Sequence, residues 1–285
     1  MLTIKHILFP FDFSAQGVQA APFVRALAQR FNARVTLLSA VPPVWDVAPI
    51  GTSVLVGDTT TEWTRELTSQ LDQALPELAG VTVERVAKSG DPAMMIADFA
   101  HTNDVDLIMM PTHGVGLFRS LLIGSVTAKV LHDAKYPIWT ATHAEEQHGR
   151  PLPRNILCAV DGGAGSSRLL QWAAAFSAQM GATLTLLHVV GPITDWPSLE
   201  RERVLQDRVR EEARANIESV QKTAGVVAPL RVAVGEIVAT VTEDARQEDA
   251  DLILIGRGLV TETLGRLRTH AYGIIRRSPC PVLSV

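Results

Sequence analysis

An internal repeat spans almost the whole chain of 285 residues. Segments of the first half recur in the second half in the same order. The matching pairs are 7–12 (ILFPFD) with 156–161 (ILCAVD), 33–38 (ARVTLL) with 182–187 (ATLTLL), 90–100 (GDPAMMIADFA) with 235–245 (GEIVATVTEDA), 106–108 with 251–253 (DLI in both), and 136–138 (YPI) with 280–282 (CPV). Such a repeat means that one domain is present twice. We therefore predict domains over residues 1–143 and 154–285, joined by a polar, proline-bearing linker at 144–153.

Each copy alternates short apolar runs with segments of helical period. In the first copy, Ile4–Phe11 is a nearly continuous apolar run, and Ala15–Phe31 has helically spaced apolar residues behind Ser14, a suitable N-cap. Further strands are predicted at 34–40, 81–87, 106–110 and 137–141, and further helices at 61–78, from 91 onward and at 126–133. The second copy repeats this order and includes a charged helix at 198–223. The alternation predicts an α/β fold of two tandem, doubly wound, parallel five-stranded sheets with helices on both faces.

Composition narrows the class of protein. The net charge of −4 and the isoelectric point near 6.1 argue against a nucleic-acid-binding surface. No apolar segment approaches the roughly 20 residues of a membrane span, and Asp12 interrupts the N-terminal apolar run, unlike a signal peptide. Two cysteines, Cys158 and Cys280, suit a reducing compartment. We expect a cytoplasmic protein without nucleic-acid or membrane partners.

A glycine-bearing loop joins a predicted strand to a predicted helix within residues 110–130 (MPTHGVGLFRSLLIGSVTAKV). Gly114 and Gly116 lie in the loop, and Gly124-Ser125 precedes an apolar-periodic run. Glycine allows close approach of the backbone to a ligand, and the N–H groups at the start of a helix favour an anion. Such loops also serve as plain connections, so this pattern leaves phosphate binding and simple connection both open. Neither the dinucleotide fingerprint nor the Gly-Lys-Ser/Thr of a P-loop is present.

Two candidate features follow predicted strands at the same edge of the sheet. Asp12 follows the first strand, and Pro111–Gly114 follows the fourth. In doubly wound sheets, ligands bind outside the carboxyl ends of the strands where the strand order reverses. If strands one and four are neighbours, the two features flank one crevice. Capping the next helix is an equally good role for Asp12 on these grounds.

The repeated strand–Asp–Ser–helix, the G-D-P helix start, the D-L-I strand and the closing P-V-L-x-V resemble the universal stress protein family in its tandem form. The resemblance covers both halves and implies an open sandwich with strand order 3-2-1-4-5 and domains paired through their final strands. Nucleotide-binding members of that family carry G-x-x-G-x9-G-S/T around the phosphates and ribose. An Asp after strand one and the backbone after strand two hold the nucleoside. The resemblance therefore implies binding of ATP, with or without Mg²⁺.

The first half matches this signature except at its first glycine, where Pro111 stands. Proline removes an N–H group but leaves the spacing to Gly114 and Gly124 intact. The site that the resemblance implies consists of Asp12, Ala40, Val41, Pro111, His113, Gly114, Gly124, Ser125, Val126 and Thr127.

The second half departs further from the signature. Its loop reads Gly256-Arg257-Gly258, one residue shorter, and Arg268-Thr269 replaces the Gly-Ser pair. An arginine there would crowd a phosphate, although its charge could also attract one. The weaker candidates in this half are Asp161, Val190, Gly256, Gly258 and Thr269. We expect this half to complete an internal pseudo-dimer, with a homodimer of the whole chain as a further expectation.

Catalysis receives little support from the sequence. His113 could act as a general base, but orienting the loop suits its place before Gly114 better. Asp12 and Ser14 are too close in the chain to place a histidine between them as a triad. The loop lacks the lysine and the water-positioning residue of phosphoryl transfer, and the His143/His148 pair suits a solvated linker better than a metal site. We expect an ATP-binding regulatory stress-response protein with an unidentified protein partner. The alternatives are a nucleotide-free interaction scaffold and, third, a weak ATPase.

Overall fold

The chain forms two compact units, Thr3–Ala144 and Glu145–Val285, the second including Met1–Leu2. The structure is a computed structural model that describes residues 2–41, 56–112, 123–133, 135–141, 151–192, 199–257 and 266–285. For residues 41, 56–61, 199–203 and 266–269 it describes the backbone only. His143 and His148 of the predicted linker lie outside the described residues.

The first unit contains a parallel sheet of five strands in the order β3-β2-β1-β4-β5. Its elements are β1 His6–Pro10, α1 Ala15–Phe31, β2 Arg34–Val41, α2 Val56–Gln73, β3 Val83–Ser89, α3 Pro92–Thr102, β4 Leu107–Pro111, α4 Ser125–Asp133 and β5 Ile138–Ala141.

The second unit repeats this topology in the order β8-β7-β6-β9-β10, again with parallel pairing. Its elements are β6 Asn155–Ala159, α5 Ser166–Met180, β7 Thr183–Val190, α6 Leu199–Ala224, β8 Leu230–Val234, α7 Ile237–Gln247, β9 Leu252–Ile255, α8 Arg266–Arg277 and β10 Val282–Ser284. The predicted fold, two parallel 3-2-1-4-5 halves, is confirmed.

Helices cover both faces of each sheet because the chain first adds strands on one side of the first strand, β1 or β6, and then returns to add strands on its other side. Right-handed crossovers from β1 to β2 and β3 place α1 and α2 on one face, and those to β4 and β5 place α3 and α4 on the other. In agreement, α3 packs against α4, α5 against α6, and α7 against α8. Strands β4 and β9 are buried along their whole length, as their continuous apolar sequences require. None of the described helices is both long and apolar enough to cross a membrane.

The helix predicted at 61–78 differs from the structure. Helix α2 ends at Gln73, Leu75 takes a left-handed conformation (φ 54°), and a separate 3-10 turn covers Pro76–Leu78. A proline inside a helix lacks the N–H donor and clashes with the preceding turn, so Pro76 begins a new element. The turn continues to Val81, whose N–H donates to the Leu78 carbonyl (3.3 Å), and β3 consequently begins at Val83 rather than at 81. The other predicted strand boundaries shift by one or two residues.

An aspartate ties each sheet together at the amino ends of its strands. In the first unit, Asp106 Oδ2 accepts the N–H groups of Lys5 (2.7 Å) and His6 (3.0 Å). In the second, Asp251 Oδ2 accepts those of Arg154 (2.8 Å) and Asn155 (2.9 Å). We call this arrangement the aspartate clasp, and it gives the repeated D-L-I sequence a structural role.

Candidate functional site

The carboxyl edge of the first sheet brings the two predicted features onto neighbouring strands. Strand β1 pairs directly with β4, in the register Ile7↔Leu107 and Leu8↔Ile108. Asp12 follows β1 and Thr112 follows β4, so both lie at the point where the strand order reverses. The condition set by the sequence, that strands one and four be adjacent, is met.

Ser14, not Asp12, caps helix α1. The Ser14 Oγ accepts the N–H of Gly17 (3.1 Å), and Ser14 has the extended backbone of an N-cap. The exposed carboxylate of Asp12 instead accepts the N–H of Ser14 at Oδ1 (3.1 Å). The N-cap predicted at Ser14 is confirmed, and capping does not account for Asp12.

Hydrogen bonds hold the start of α4 against the end of β4. The N–H of Gly124 donates to the Thr112 carbonyl (2.8 Å), and the buried Thr127 Oγ1 donates to the Pro111 carbonyl (3.1 Å). Thr112 is fixed in turn, because its N–H and its Oγ1 both donate to the Ala141 carbonyl of β5 (3.2 Å each). The hydrogen bond between Gly124 and Thr112 therefore joins the two ends of the loop.

The first turn of α4 presents unpaired N–H groups at this edge. Gly124 immediately precedes the helix, and its carbonyl accepts the N–H of Ala128 (2.8 Å). The N–H groups of Ser125, Val126 and Thr127 have no α-helical acceptor, and no described residue outside the helix accepts from them. Ser125 is exposed and adds a hydroxyl. Such a group of donors, at the positive end of the helix dipole, favours an anion.

Pro111 fits its strand without loss of a ladder hydrogen bond. Along β4 the N–H groups of Ile108 and Thr112 point to β5, since they donate to Pro137 and Ala141. An N–H group at position 111 would therefore point toward β1. The pairing of β1 with β4 extends only to Ile108, so no ladder hydrogen bond is expected there. The substitution removes a donor from the loop entrance while leaving the sheet intact.

The remaining first-half candidates lie partly beyond the described side chains. Ala40 and the backbone of Val41 end β2, beside β1, where the Phe11 N–H donates to the Leu38 carbonyl (2.9 Å). His113 and Gly114 lie outside the described residues, so their predicted roles stay predictions.

The second half arranges its corresponding aspartate differently. Asp161 Oδ1 accepts both the N–H of Gly163 (2.9 Å) and the hydroxyl of Ser166 (2.8 Å). Val190 ends β7, and its carbonyl accepts the N–H of Gly235 (3.0 Å). One oxygen of the Asp161 carboxylate is thus held by the first residue of α5.

The loop after β9 carries a partly buried cation. The Arg257 N–H donates to the Val285 carbonyl (3.0 Å), which makes Arg257 the counterpart of Thr112. Burial, with a further contribution from the charge of Arg168, lowers the pKa of the Arg257 guanidinium to about 10, so it stays protonated at neutral pH. Gly256 is the counterpart of Pro111, and Gly258 lies outside the described residues.

Arg268 and Thr269 do not occupy the position that Gly124 and Ser125 have in the first half. Helix α8 comprises Arg266–Arg277, so both residues lie inside it, whereas Gly124 immediately precedes α4. The sequence spacing that matches these pairs is therefore not matched in the helix.

Two residues at the first-half edge escaped the sequence interpretation. Thr112 joins β4, β5 and the start of α4, and nothing in its local sequence indicates this. Phe13, between Asp12 and Ser14, has a left-handed backbone (φ 60°) and a 39% exposed side chain. The repeat does carry a signal for Phe13, because its counterpart in the second half is Gly162.

A cavity of about 800 Å³ opens at the opposite edge of the first sheet. It is a poor candidate for binding an anion. Its charged lining mixes Lys5 and Arg34 with Asp104 and Asp106, and the Asp106 carboxylate is engaged in the aspartate clasp. Among the residues that the structure describes, no group of three or more His, Cys, Asp or Glu side chains suits a metal ion.

The two sheets and their helices define the doubly wound α/β class, here with a glycine–serine helix start at the carboxyl edge of the first sheet. The family within that class follows from comparison, since the universal stress protein family model matches residues 3–141 and again residues 153–285. The chain belongs to the universal stress protein family and carries two of its domains in tandem.

Individual relatives agree with this assignment. A universal stress protein of Mycolicibacterium smegmatis is 26% identical over 202 residues, which span 68% of this chain and 66% of that protein. One from Thermus aquaticus is 32% identical over 141 residues, 47% of this chain and 96% of its own length. The crystal structure of a universal stress protein from Archaeoglobus fulgidus covers 99% of this chain and 96% of its own, with a TM-score of 0.67 and 21% identity, and supports the fold.

Proposed function

We propose that the first half binds an adenine nucleotide, ATP with or without Mg²⁺, and that the protein acts as a regulatory stress-response protein without fast turnover. The observation that carries this proposal is the fixed start of α4. Hydrogen bonds from Gly124 and Thr127 hold the first turn of α4 beside the end of β4, and three N–H groups of that turn have no acceptor among the described residues. The donors suit phosphate oxygens, and Asp12 on the neighbouring strand suits the hydroxyl groups of a ribose.

Family membership supports the choice of nucleotide. Many universal stress proteins bind ATP, and the first half retains Gly114, Gly124 and Ser125 of the nucleotide signature. Magnesium would enter with the phosphates, since Mg²⁺ usually keeps several waters and takes few protein ligands.

Regulation fits the donor set better than catalysis does. The loop lacks the lysine and the water-positioning residue that accelerate phosphoryl transfer. Nucleotide occupancy would then act on the surface that meets a protein partner, whose identity is open.

The second half is proposed as a partner domain without nucleotide. Its aspartate is held by Ser166, its loop carries the cationic Arg257, and Arg268 lies inside α8. This half would complete an internal pseudo-dimer, and a homodimer of the whole chain stays a prediction.

One observation favours a second candidate, a nucleotide-free interaction scaffold. Pro111 removes the first glycine of the signature together with its N–H group. On that reading, the loop after β4 is retained for its contribution to the fold, through Thr112, rather than for a ligand.

Thermal unfolding of the full chain with nucleotides decides between these candidates. ATP with magnesium at a hundredfold excess over Kd should stabilise the first unit by about 2.7 kcal/mol and raise its Tm by several degrees. Adenine nucleotide released by acid precipitation from the purified protein would be an independent sign. No shift with ATP, ADP or AMP favours the scaffold, and steady phosphate release at saturating ATP favours the weak ATPase.

A further inference from the structure

Phe13 takes a backbone conformation that both halves need at this position. Its φ is 60°, and the counterpart in the second half, Gly162, has φ 79°. Glycine adopts positive φ without steric cost, whereas an aromatic residue with a Cβ pays one. The first half therefore keeps a side chain at a position where glycine would be the less strained choice.

Packing uses only part of that side chain. The Phe13 ring lies 4.8 Å from the ring of Phe11, tilted by 51°. Phe11 is buried and itself fixed, because its ring fills the space beside Gly17, where a Cβ would approach it to 2.9 Å. Phe13 thus rests against a rigid aromatic neighbour and remains 39% exposed.

The position of Phe13 is at the candidate nucleotide site. It lies between Asp12 and Ser14, directly after β1, which is the central strand between β2 and β4. Strand β2, which ends with Ala40 and Val41, flanks β1 on one side, and β4, which leads to α4, flanks it on the other. Residue 13 therefore lies at the carboxyl edge of the sheet, where doubly wound folds bind ligands, and carries an exposed aromatic ring there.

We propose that Phe13 stacks on the nucleobase and so determines preference for a base-bearing nucleotide over other polyphosphates. This inference rests on the proposed nucleotide function and adds a contact to it. Aromatic side chains stack on the π-face of a base with a gain of about 5- to 150-fold in affinity. The second half, with Gly162, has no ring at this position.

The test compares Phe13→Gly, Phe13→Trp and wild type in the full chain, with ATP and inorganic tripolyphosphate as ligands. Phe13→Gly should weaken ATP binding by about tenfold and leave tripolyphosphate binding unchanged. Its Tm should stay close to that of wild type, because glycine relieves the positive φ while the Phe11 ring contact is lost. Phe13→Trp should retain or strengthen ATP binding. Val18→Ala, a 40% exposed apolar position in α1, is the matched control and should change neither affinity.

Three results overturn the inference. Equal ATP affinity in Phe13→Gly and wild type removes the stacking contact while the proposed function survives. A parallel loss of ATP and tripolyphosphate affinity assigns Phe13 to the shape of the site rather than to the base. Binding of neither ligand by the wild type overturns the proposed function and the stacking contact together.

Discussion

The two halves share a fold but differ at the edge where a ligand would bind. In the first half, Ser14 and not Asp12 caps α1, and Gly124, which precedes α4, donates a hydrogen bond to Thr112 at the end of β4. In the second, a serine holds Asp161, and an arginine follows the glycine after β9. The opposite edge, in contrast, carries the same aspartate clasp in both halves. Among the described residues, the bonds that hold the sheet are therefore the same in both copies, whereas the residues at the carboxyl edge differ.

The largest expected effect is on nucleotide affinity. Gly124→Asp should weaken ATP binding at least 100-fold, about 2.7 kcal/mol, because its carboxylate repels the phosphates at the α4 start. Aspartate is a favourable N-cap, so the helix should persist. Calorimetric titration measures the loss. Gly124→Asn, an uncharged N-cap of similar size, is the control: if it loses as much affinity as Gly124→Asp, sterics and not charge are responsible.

Removal of the aspartate clasp should lower the free energy of unfolding by the same amount in both halves. Asp106→Ala and Asp251→Ala each remove a carboxylate that accepts two backbone N–H groups, and each should lower the free energy of unfolding of its own unit by about 2 kcal/mol. Urea unfolding measures the change. Asparagine at either position keeps one acceptor oxygen and should lose less. A clasp that proves costly in only one half would contradict its role as a shared structural feature.

Removal of the two serines at the helix starts should have smaller, unequal effects. Ser14→Ala removes an N-cap and should cost about 1 kcal/mol. Ser166→Ala removes a bond to an exposed carboxylate and should cost about 0.5 kcal/mol. Thermal unfolding of the two variants measures both costs. A larger cost for Ser166→Ala than for Ser14→Ala would contradict the greater structural weight given to the N-cap of α1.

The smallest expected effect is a difference in acid sensitivity. His6, buried beside Thr36 in the first half, corresponds to Asn155 in the second. Burial lowers the pKa of His6, and the Asn103 carbonyl opposes this shift, as do the charges of Glu84 and Asp106, whereas Arg34 adds to it. The unfolded chain therefore binds a proton more readily, and the first unit should lose stability as the pH falls below about 6.5.

The variant His6→Asn tests this difference with the residue that the second half already uses. Its first unit should show a weaker decline in Tm between pH 7 and pH 5 than that of the wild type. An unchanged decline would assign the acid sensitivity to other groups.

The sequence was sufficient for the fold because its signals are local or repeated. Alternating apolar runs, the cap at Ser14 and the duplicated segments each depend on residues close together in the chain. The missed features depend on distant partners or on an unfavourable choice. Thr112 bonds to Ala141 of β5, which is distant in the sequence. Phe13 has a positive φ, which phenylalanine disfavours, so its residue type does not predict that conformation. The end of α2 before Pro76 was readable and was missed.

The most direct test counts the nucleotides that one chain binds. Calorimetric titration of the full chain with ATP and magnesium should give one nucleotide per chain. That binding should be lost in Gly124→Asp and unchanged in Arg268→Gly, which alters the second half only. Two nucleotides per chain, or binding that survives in Gly124→Asp, would contradict a single working site in the first half.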